Sequence, residues 1–155
     1  MNASQEEFIS LIYANCERYA GQYGIKCIPA IVAQACLESN FGKSKLASKY
    51  HNYFGMKCGS YWKGKSVNLK TQEEYTYNQL TTIRDNFRVY SDMKSGVLGY
   101  SIFINTKRYN NLKGITDPRE YLETIVADGY ATDHRYVNKC MAIVENYVQR
   151  WLDRR

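Results

Sequence analysis

Apolar residues recur at helical spacing near both ends of the chain, while the middle carries alternating, β-favouring stretches. Phe8, Leu11, Ile12 and Cys16 predict a first helix over roughly Ser4 to Tyr19. Ser4 followed by Glu7 reads as its capping box, and Gly21 and Gly24 end it. Pro29 suits the first turn of a second helix carrying Ile31, Val32, Ala35 and Cys36, closed by Gly42. A short third helix is predicted over Ser44 to Tyr50. From Asn52 to Tyr90 glycines enter at 55, 59 and 64, with β-favouring runs at Ser66–Thr71, Glu74–Tyr77 and Phe87–Tyr90. These predict a small antiparallel sheet, with Asn78-Gln79 as a weak turn. Met93, Val97, Tyr100 and Ile104 restore helical spacing. Asp117 caps a further helix that begins at Pro118 and carries Tyr121, Leu122, Ile125 and Val126 on its apolar side. The last helix is predicted from about Tyr136 to Leu152. Helices, a small sheet and helices again predict an α+β fold: a mainly helical body, a β lobe, and a cleft between them suited to a polymer. No repeat or linker divides residues 1–155, which read as one domain.

Composition narrows the partners. The 155 residues carry a net charge of +6 and 15 Tyr, against 5 Phe and 2 Trp. A basic surface favours anionic partners, and tyrosine offers a flat apolar face with a polar tip for stacking on sugars or bases. The five cysteines are odd in number and form no CxxC pair, so they are expected as small core hydrophobes rather than a disulfide framework. His51 and Cys58 lack a second ligand pair, so no metal is expected, and no cofactor motif is present. The polar, acidic start of the chain is unlike a secretory signal, and no stretch approaches the roughly 18 apolar residues of a membrane span. No membrane insertion is expected. Action inside a cell, another exit route, or excision from a longer secreted chain each fit.

The candidate chemistry lies in Ala33-Gln34-Ala35-Cys36-Leu37-Glu38-Ser39-Asn40-Phe41-Gly42. On a helix Ile31, Ala35 and Glu38 share one face, so Glu38 continues an apolar stripe. A carboxyl group there is partly desolvated and its pKa rises, and a carboxylic acid protonated near neutral pH can donate to a leaving oxygen. The plainer alternative is a solvated side chain at a helix end.

The run Leu37-Glu38-Ser39-Asn40-Phe41-Gly42 resembles the helix-ending signature of lysozyme-like wall hydrolases, in which the Glu is the acid. Asn52-Tyr53-Phe54-Gly55-Met56-Lys57 is similar to an Asn-x-Phe-Gly-x-Lys segment, and Thr71-Gln72-Glu73-Glu74-Tyr75 to a Thr-x-Glu-Tyr segment of the β lobe. Phe87-Arg88-Val89-Tyr90 and Gly129-Tyr130-Ala131-Thr132-Asp133-His134-Arg135-Tyr136 match two further segments, the second with His134 in place of the usual Pro. In this order they resemble the glucosaminidase domain of glycoside hydrolase family 73, which includes autolysins and the wall-cutting domain of a flagellar rod-assembly protein. The resemblance implies a lysozyme-like fold and an endo-β-N-acetylglucosaminidase that cuts peptidoglycan after N-acetylglucosamine. It further implies action on the bacterial cell wall, as a phage lysin or as an excised domain of a secreted protein.

The β-lobe carboxylate best matches Glu74, because Tyr75 follows it, with Glu73 as its competitor. In a strand the two point to opposite faces, so only one enters the cleft. The substrate's own acetamido group is a third candidate for the same role. Tyr130 and Tyr136 match positions where the resemblance implies a functional tyrosine. For substrate binding the candidates are Asn52, Phe54, Gly55, Trp62 with its neighbour Tyr61, and Tyr90; for Phe54 and Tyr90, core packing is the competing role. Peptidoglycan strands and anionic wall polymers are the expected partners of a monomer. A lytic transglycosylase of the same fold and a non-catalytic wall-binding module are the alternatives. Nucleic acid is not expected, since no Lys/Arg block or nucleic-acid motif is present. A Cys/His hydrolase built on Cys36 has no nucleophile motif in its favour.

Overall fold

The computed structural model describes residues 1–155. Helix α1 (Ala3–Tyr19) passes through a 3-10 turn at Ala20–Tyr23 into α2 (Ile28–Ser39) and α3 (Lys45–Tyr50). Strands β1 (Ser66–Thr76) and β2 (Gln79–Arg88) form one antiparallel hairpin. Helix α4 (Met93–Ile104), a 3-10 segment at Lys107–Leu112 and α5 (Pro118–Ala127) follow. Helix α6 (Tyr136–Ile143) runs through one π turn at Val144–Val148 into α7 (Gln149–Asp153). The expected α+β architecture of helical body and β lobe is the one observed. No helix is long and apolar enough to cross a membrane.

Helix α2 is the centre of the core. Every residue from Ala30 to Cys36 is buried, and the helix lies against α1, α5 and α6. The cysteines Cys16, Cys27, Cys36 and Cys140 are buried free thiols, and Cys58 is a half-buried one. Helix α2 stops because Ser39 turns its hydroxyl back, donating to the Ala35 carbonyl at 2.6 Å and accepting from Gly42 N–H at 2.8 Å. Asn40, Phe41 and Gly42 then take left-handed backbone angles, which breaks the helical ladder. Glu38 is thereby fixed one residue before the end of the most buried helix.

The caps differ in one place from expectation. Helix α1 is capped by Asn2, whose side chain accepts from Gln5 N–H at 2.8 Å while Gln5 Oε1 accepts from Asn2 N–H at 2.9 Å. The capping box therefore starts two residues before Ser4; Asn serves this position as well as Ser does. Asp117 caps α5 as expected, accepting from Glu120 N–H at 2.9 Å.

The β lobe is simpler and longer than the three predicted stretches. The first two join into β1, and the turn falls at Tyr77-Asn78, one residue earlier than expected, with Asn78 in the left-handed region. The first half of β2 shows no apolar alternation because most of it is exposed on both faces. At its base the hairpin joins the body through Cys58 N–H to the Asn86 carbonyl and Arg88 N–H to the Met56 carbonyl. Near its tip the register breaks. Glu73 pairs with Thr81 and Thr76 with Gln79, so Glu74 and Tyr75 together oppose Leu80 alone. This is a β-bulge.

Gly42 offers a direct check on how the α2 exit is built. Its φ is +81°, and an added Cβ would sit 2.7 Å from the Phe8 ring. The substitution Gly42→Ala is expected to lower unfolding free energy by about 2 kcal/mol, read by urea denaturation. An unchanged midpoint would show that the turn tolerates a side chain.

Candidate active site

A cleft of about 740 Å³ lies between the body and the hairpin, with Glu38 on its floor and Glu73 on its β wall. Glu38 opens to solvent through the cleft, while protein closes around the inner side of its carboxyl. Gly55 forms part of the wall beside it. It has a φ of +64°, and a Cβ there would meet Glu38 Oε2 at 2.8 Å. Burial pushes the Glu38 pKa up to about 7, the nearby Glu73 and Asp133 carboxylates add to the rise, and the Tyr136 hydroxyl and Lys139 oppose it. Its place at the negative end of the α2 dipole acts in the same direction as burial. Helical spacing from Ile31 through Ala35 thus identified a carboxyl group poised between its two charge states near neutral pH.

The two candidate tyrosines divide their roles. Tyr136 is buried on α6 with its hydroxyl beside Glu38 and accepts from Gln34 Nε2 at 3.1 Å. Tyr130 lines the cleft and donates to the Phe54 carbonyl at 3.2 Å, holding the loop that presents Gly55. Burial raises both phenols well above the usual tyrosine value, so both remain protonated donors.

The acidic pair on β1 is split in the opposite sense to expectation. Val67, Leu69, Thr71 and Glu73 share the less exposed face of β1, and Leu69, Thr71 and Glu73 line the cleft. Glu73 is salt-bridged to Lys57 and accepts from the Thr132 hydroxyl at 2.7 Å. Glu74 does not line the cleft. At the bulge it is drawn the other way, where its carboxylate accepts from Asn78 N–H at 2.5 Å and His134 N–H at 2.7 Å, and contacts the His134 ring. The backbone bond from His134 leads the contacts that hold the Glu74 pKa below its usual value. A proline at 134 could not supply that N–H. His134 thus ties the loop before Tyr136 to the hairpin.

Three substrate-binding candidates stand elsewhere. Asn52 is buried, donating to the Met56 and Arg88 carbonyls and accepting from Met56 N–H, each at 2.9 Å, so it stitches the loop to β2. Tyr90 packs against Gly99 of α4 with its hydroxyl on the Met56 sulfur. Trp62 sets its edge on Tyr90, lies under the Arg88 guanidinium and donates to the Lys65 carbonyl. Its neighbour Tyr61, 91% exposed, reaches the cleft instead. Phe54 does border the cleft, yet it is 2% exposed and stacked on Tyr100 at 4.2 Å, so core packing dominates. Gly55 is on the cleft as expected.

Residues not singled out by sequence include Lys57, Thr132 and Gln34. The signal for Gln34 was available: a polar residue one helical turn before Glu38 on an otherwise apolar helix. Glu74, Asp133 and His134 bring potential ligand atoms within 4.8 Å of one another. Their acceptors are already engaged, Glu74 by Asn78 and His134, and Asp133 by Arg135 N–H and Lys139 Nζ. The group is therefore a hydrogen-bonded network.

With the geometry in place, comparison with known proteins is direct. Residues 13–149 match the family model described as Glucosaminidase, mannosyl-glycoprotein endo-beta-N-acetylglucosaminidase. Peptidoglycan hydrolase FlgJ of Pseudomonas aeruginosa is 32% identical over 149 residues, covering 92% of this chain and 37% of that protein. Exo-glucosaminidase LytG of Bacillus subtilis is 35% identical over 150 residues, covering 92% of this chain and 51% of that protein. The chain thus spans between about a third and half the length of these two relatives. A crystal structure of a peptidoglycan hydrolase mutant from Sphingomonas sp. A1 superposes with a TM-score of 0.85 at 29% identity, over 97% of this chain and 99% of that one.

The Glu38 carboxyl should titrate with a midpoint near 7 when followed by 13C NMR of glutamate-labelled protein. Its folded pKa lies above the ordinary 4.5. Its contribution to stability is therefore complete below 4.5 and falls as pH rises toward 7. A midpoint near 4.5 would mean that water solvates the group freely.

Proposed function

The chain belongs to the glucosaminidase family, and we propose that it is a peptidoglycan hydrolase: an endo-β-N-acetylglucosaminidase acting on the bacterial cell wall, cutting between N-acetylglucosamine and N-acetylmuramic acid. The observation that carries this reading is a carboxyl group on the floor of an open cleft, its pKa raised by burial, with a second carboxylate on the facing wall. The family match and relatives whose names include peptidoglycan hydrolase support the substrate class. The net charge of +6 suits retention on anionic wall polymers.

In this mechanism Glu38 donates its proton to the glycosidic oxygen as the bond to the anomeric carbon breaks. Positive charge grows on the sugar ring and is stabilised by Glu73 or by the substrate's own acetamido group. Glu73 replaces Glu74 in this role because it alone of the pair faces the cleft. The Tyr136 hydroxyl, beside Glu38, stabilises the carboxylate left after proton transfer. Water adds at the anomeric carbon, and its released proton restores the acid form of Glu38. Tyr61 and Tyr75, both exposed on the cleft, offer faces for neighbouring sugars.

Purified peptidoglycan digested with wild-type protein should yield new reducing-end N-acetylglucosamine, identified by reduction and mass spectrometry. The substitution Glu38→Gln should lower the rate roughly 10²–10⁴-fold. Anhydro-muramic ends would assign the chain to the lytic transglycosylases, and no new ends with wild type would make it a wall-binding module. Gly55→Ala should cost about 10²-fold in kcat with near-native circular dichroism, because a Cβ displaces the carboxyl it touches. Full activity in that variant would show that the position of Glu38 is not fixed from this side.

A further inference from the structure

Four buried polar side chains run in single file from the core to the active carboxyl. The Tyr121 and Tyr100 hydroxyls lie 2.8 Å apart, Tyr100 donates to Gln34 Oε1 at 2.5 Å, and Gln34 Nε2 donates to the Tyr136 hydroxyl at 3.1 Å. Tyr136 in turn sits beside Glu38. Gln34, Tyr100 and Tyr121 are fully buried and Tyr136 nearly so.

The order of donors in this file is determined by its inner end. The Tyr121 hydroxyl has Tyr100 as its one partner. A buried O–H without an acceptor is costlier than an unused lone pair, so Tyr121 donates and Tyr100 accepts. Tyr100 must then direct its own proton to Gln34 Oε1. That contact settles which way the amide faces: its oxygen toward Tyr100 and its NH₂ toward Tyr136. Tyr136, accepting a hydrogen bond from Gln34, has its own hydroxyl proton free to point toward Glu38, with the Cys140 sulfur as the other acceptor beside it. A flipped amide would present oxygen to Tyr136 and draw that proton away from the cleft.

We propose that Gln34 is a positioning residue: held by Tyr100, it turns the Tyr136 hydroxyl proton toward the Glu38 carboxyl. Its significance for catalysis rests on the reading of Glu38 as the acid. A hydrogen bond donated to the ionised carboxylate favours that form, so the file restrains the rise that burial imposes and keeps Glu38 able to give up its proton. Other groups facing Glu38 are Glu73 from β1, Asp133 from the loop before α6, Lys139 and Cys140 from α6, and Tyr130. None of them is hydrogen-bonded to Gln34, so changes at Gln34 reach Glu38 through Tyr136.

The test reads the Glu38 carboxyl directly by 13C NMR titration, beside the pH profile of kcat/KM on peptidoglycan. Gln34→Leu is expected to raise the Glu38 midpoint by about one pH unit and to move the alkaline limb of the profile upward by the same amount. Tyr136→Phe should give the same shift, and the double variant Gln34→Leu/Tyr136→Phe no more than either alone. Tyr100→Phe keeps the ring that stacks on Phe54 while removing the proton that holds the amide. It should reproduce the shift, and it carries the test if Gln34→Leu does not fold. An unmoved midpoint with activity reduced equally at every pH would overturn the proposal, as would shifts that add in the double variant. If Glu38→Gln retains activity, the acid assignment fails, and the NMR midpoints still decide the role of Gln34.

Discussion

The contact between the Glu38 carboxyl and the backbone of Gly55 sets the geometry of the cleft. Helix α2 is buried from Ala30 to Cys36 and again at Ser39, so its last turn cannot shift without disturbing α1, α5 and α6 together. The loop at Gly55 can approach only because it has no Cβ, and Asn52 and the Tyr130 hydroxyl hold that loop in place. The carboxyl is thus enclosed on its inner side by groups that are themselves fixed, and a desolvated acid requires such rigidity. A softer inner side would admit more water and let the pKa fall back toward the ordinary carboxyl value.

The opposite wall is arranged by different means. The hairpin contributes little to the core and is positioned by polar contacts at its base and near its tip. The bulge at Glu74 and Tyr75 turns two neighbouring carboxylates in opposite directions. Glu73 meets Lys57 and Thr132 on the cleft side, and Glu74 meets Asn78 and His134 behind it. One residue of extra chain thereby yields both a carboxylate on the cleft wall and the anchor behind it.

Most of the fold was legible because the helices bury a continuous stripe, and a stripe leaves a period in the sequence. Glu38 was legible for the same reason, as a carboxyl continuing the stripe of Ile31 and Ala35. The hairpin was harder, since strands exposed on both faces need no alternation, and a bulge resets the inward face at a point that composition does not mark. The sequence therefore points to Glu74 over Glu73, because Tyr75 follows it. Asn52, Trp62 and Tyr90 lie outside the cleft lining for a related reason: side chains suited to binding sugars are equally suited to stitching a loop or packing on an arginine. Their surroundings decide between these uses, and those surroundings come from distant parts of the chain.

The cysteines have a consequence for where such a protein can fold. Cys36 raises the pKa of Cys16 and Cys140 raises that of Cys36, so the three lie near one another in the core, yet all are free thiols. Burial pushes them well above the usual thiol range, so they hold little of the thiolate that exchange chemistry needs. The native core therefore draws nothing from oxidation. It is compatible with a reducing interior, where disulfides do not persist, and with an oxidising exterior, where slow-reacting thiols escape mispairing once the chain has closed.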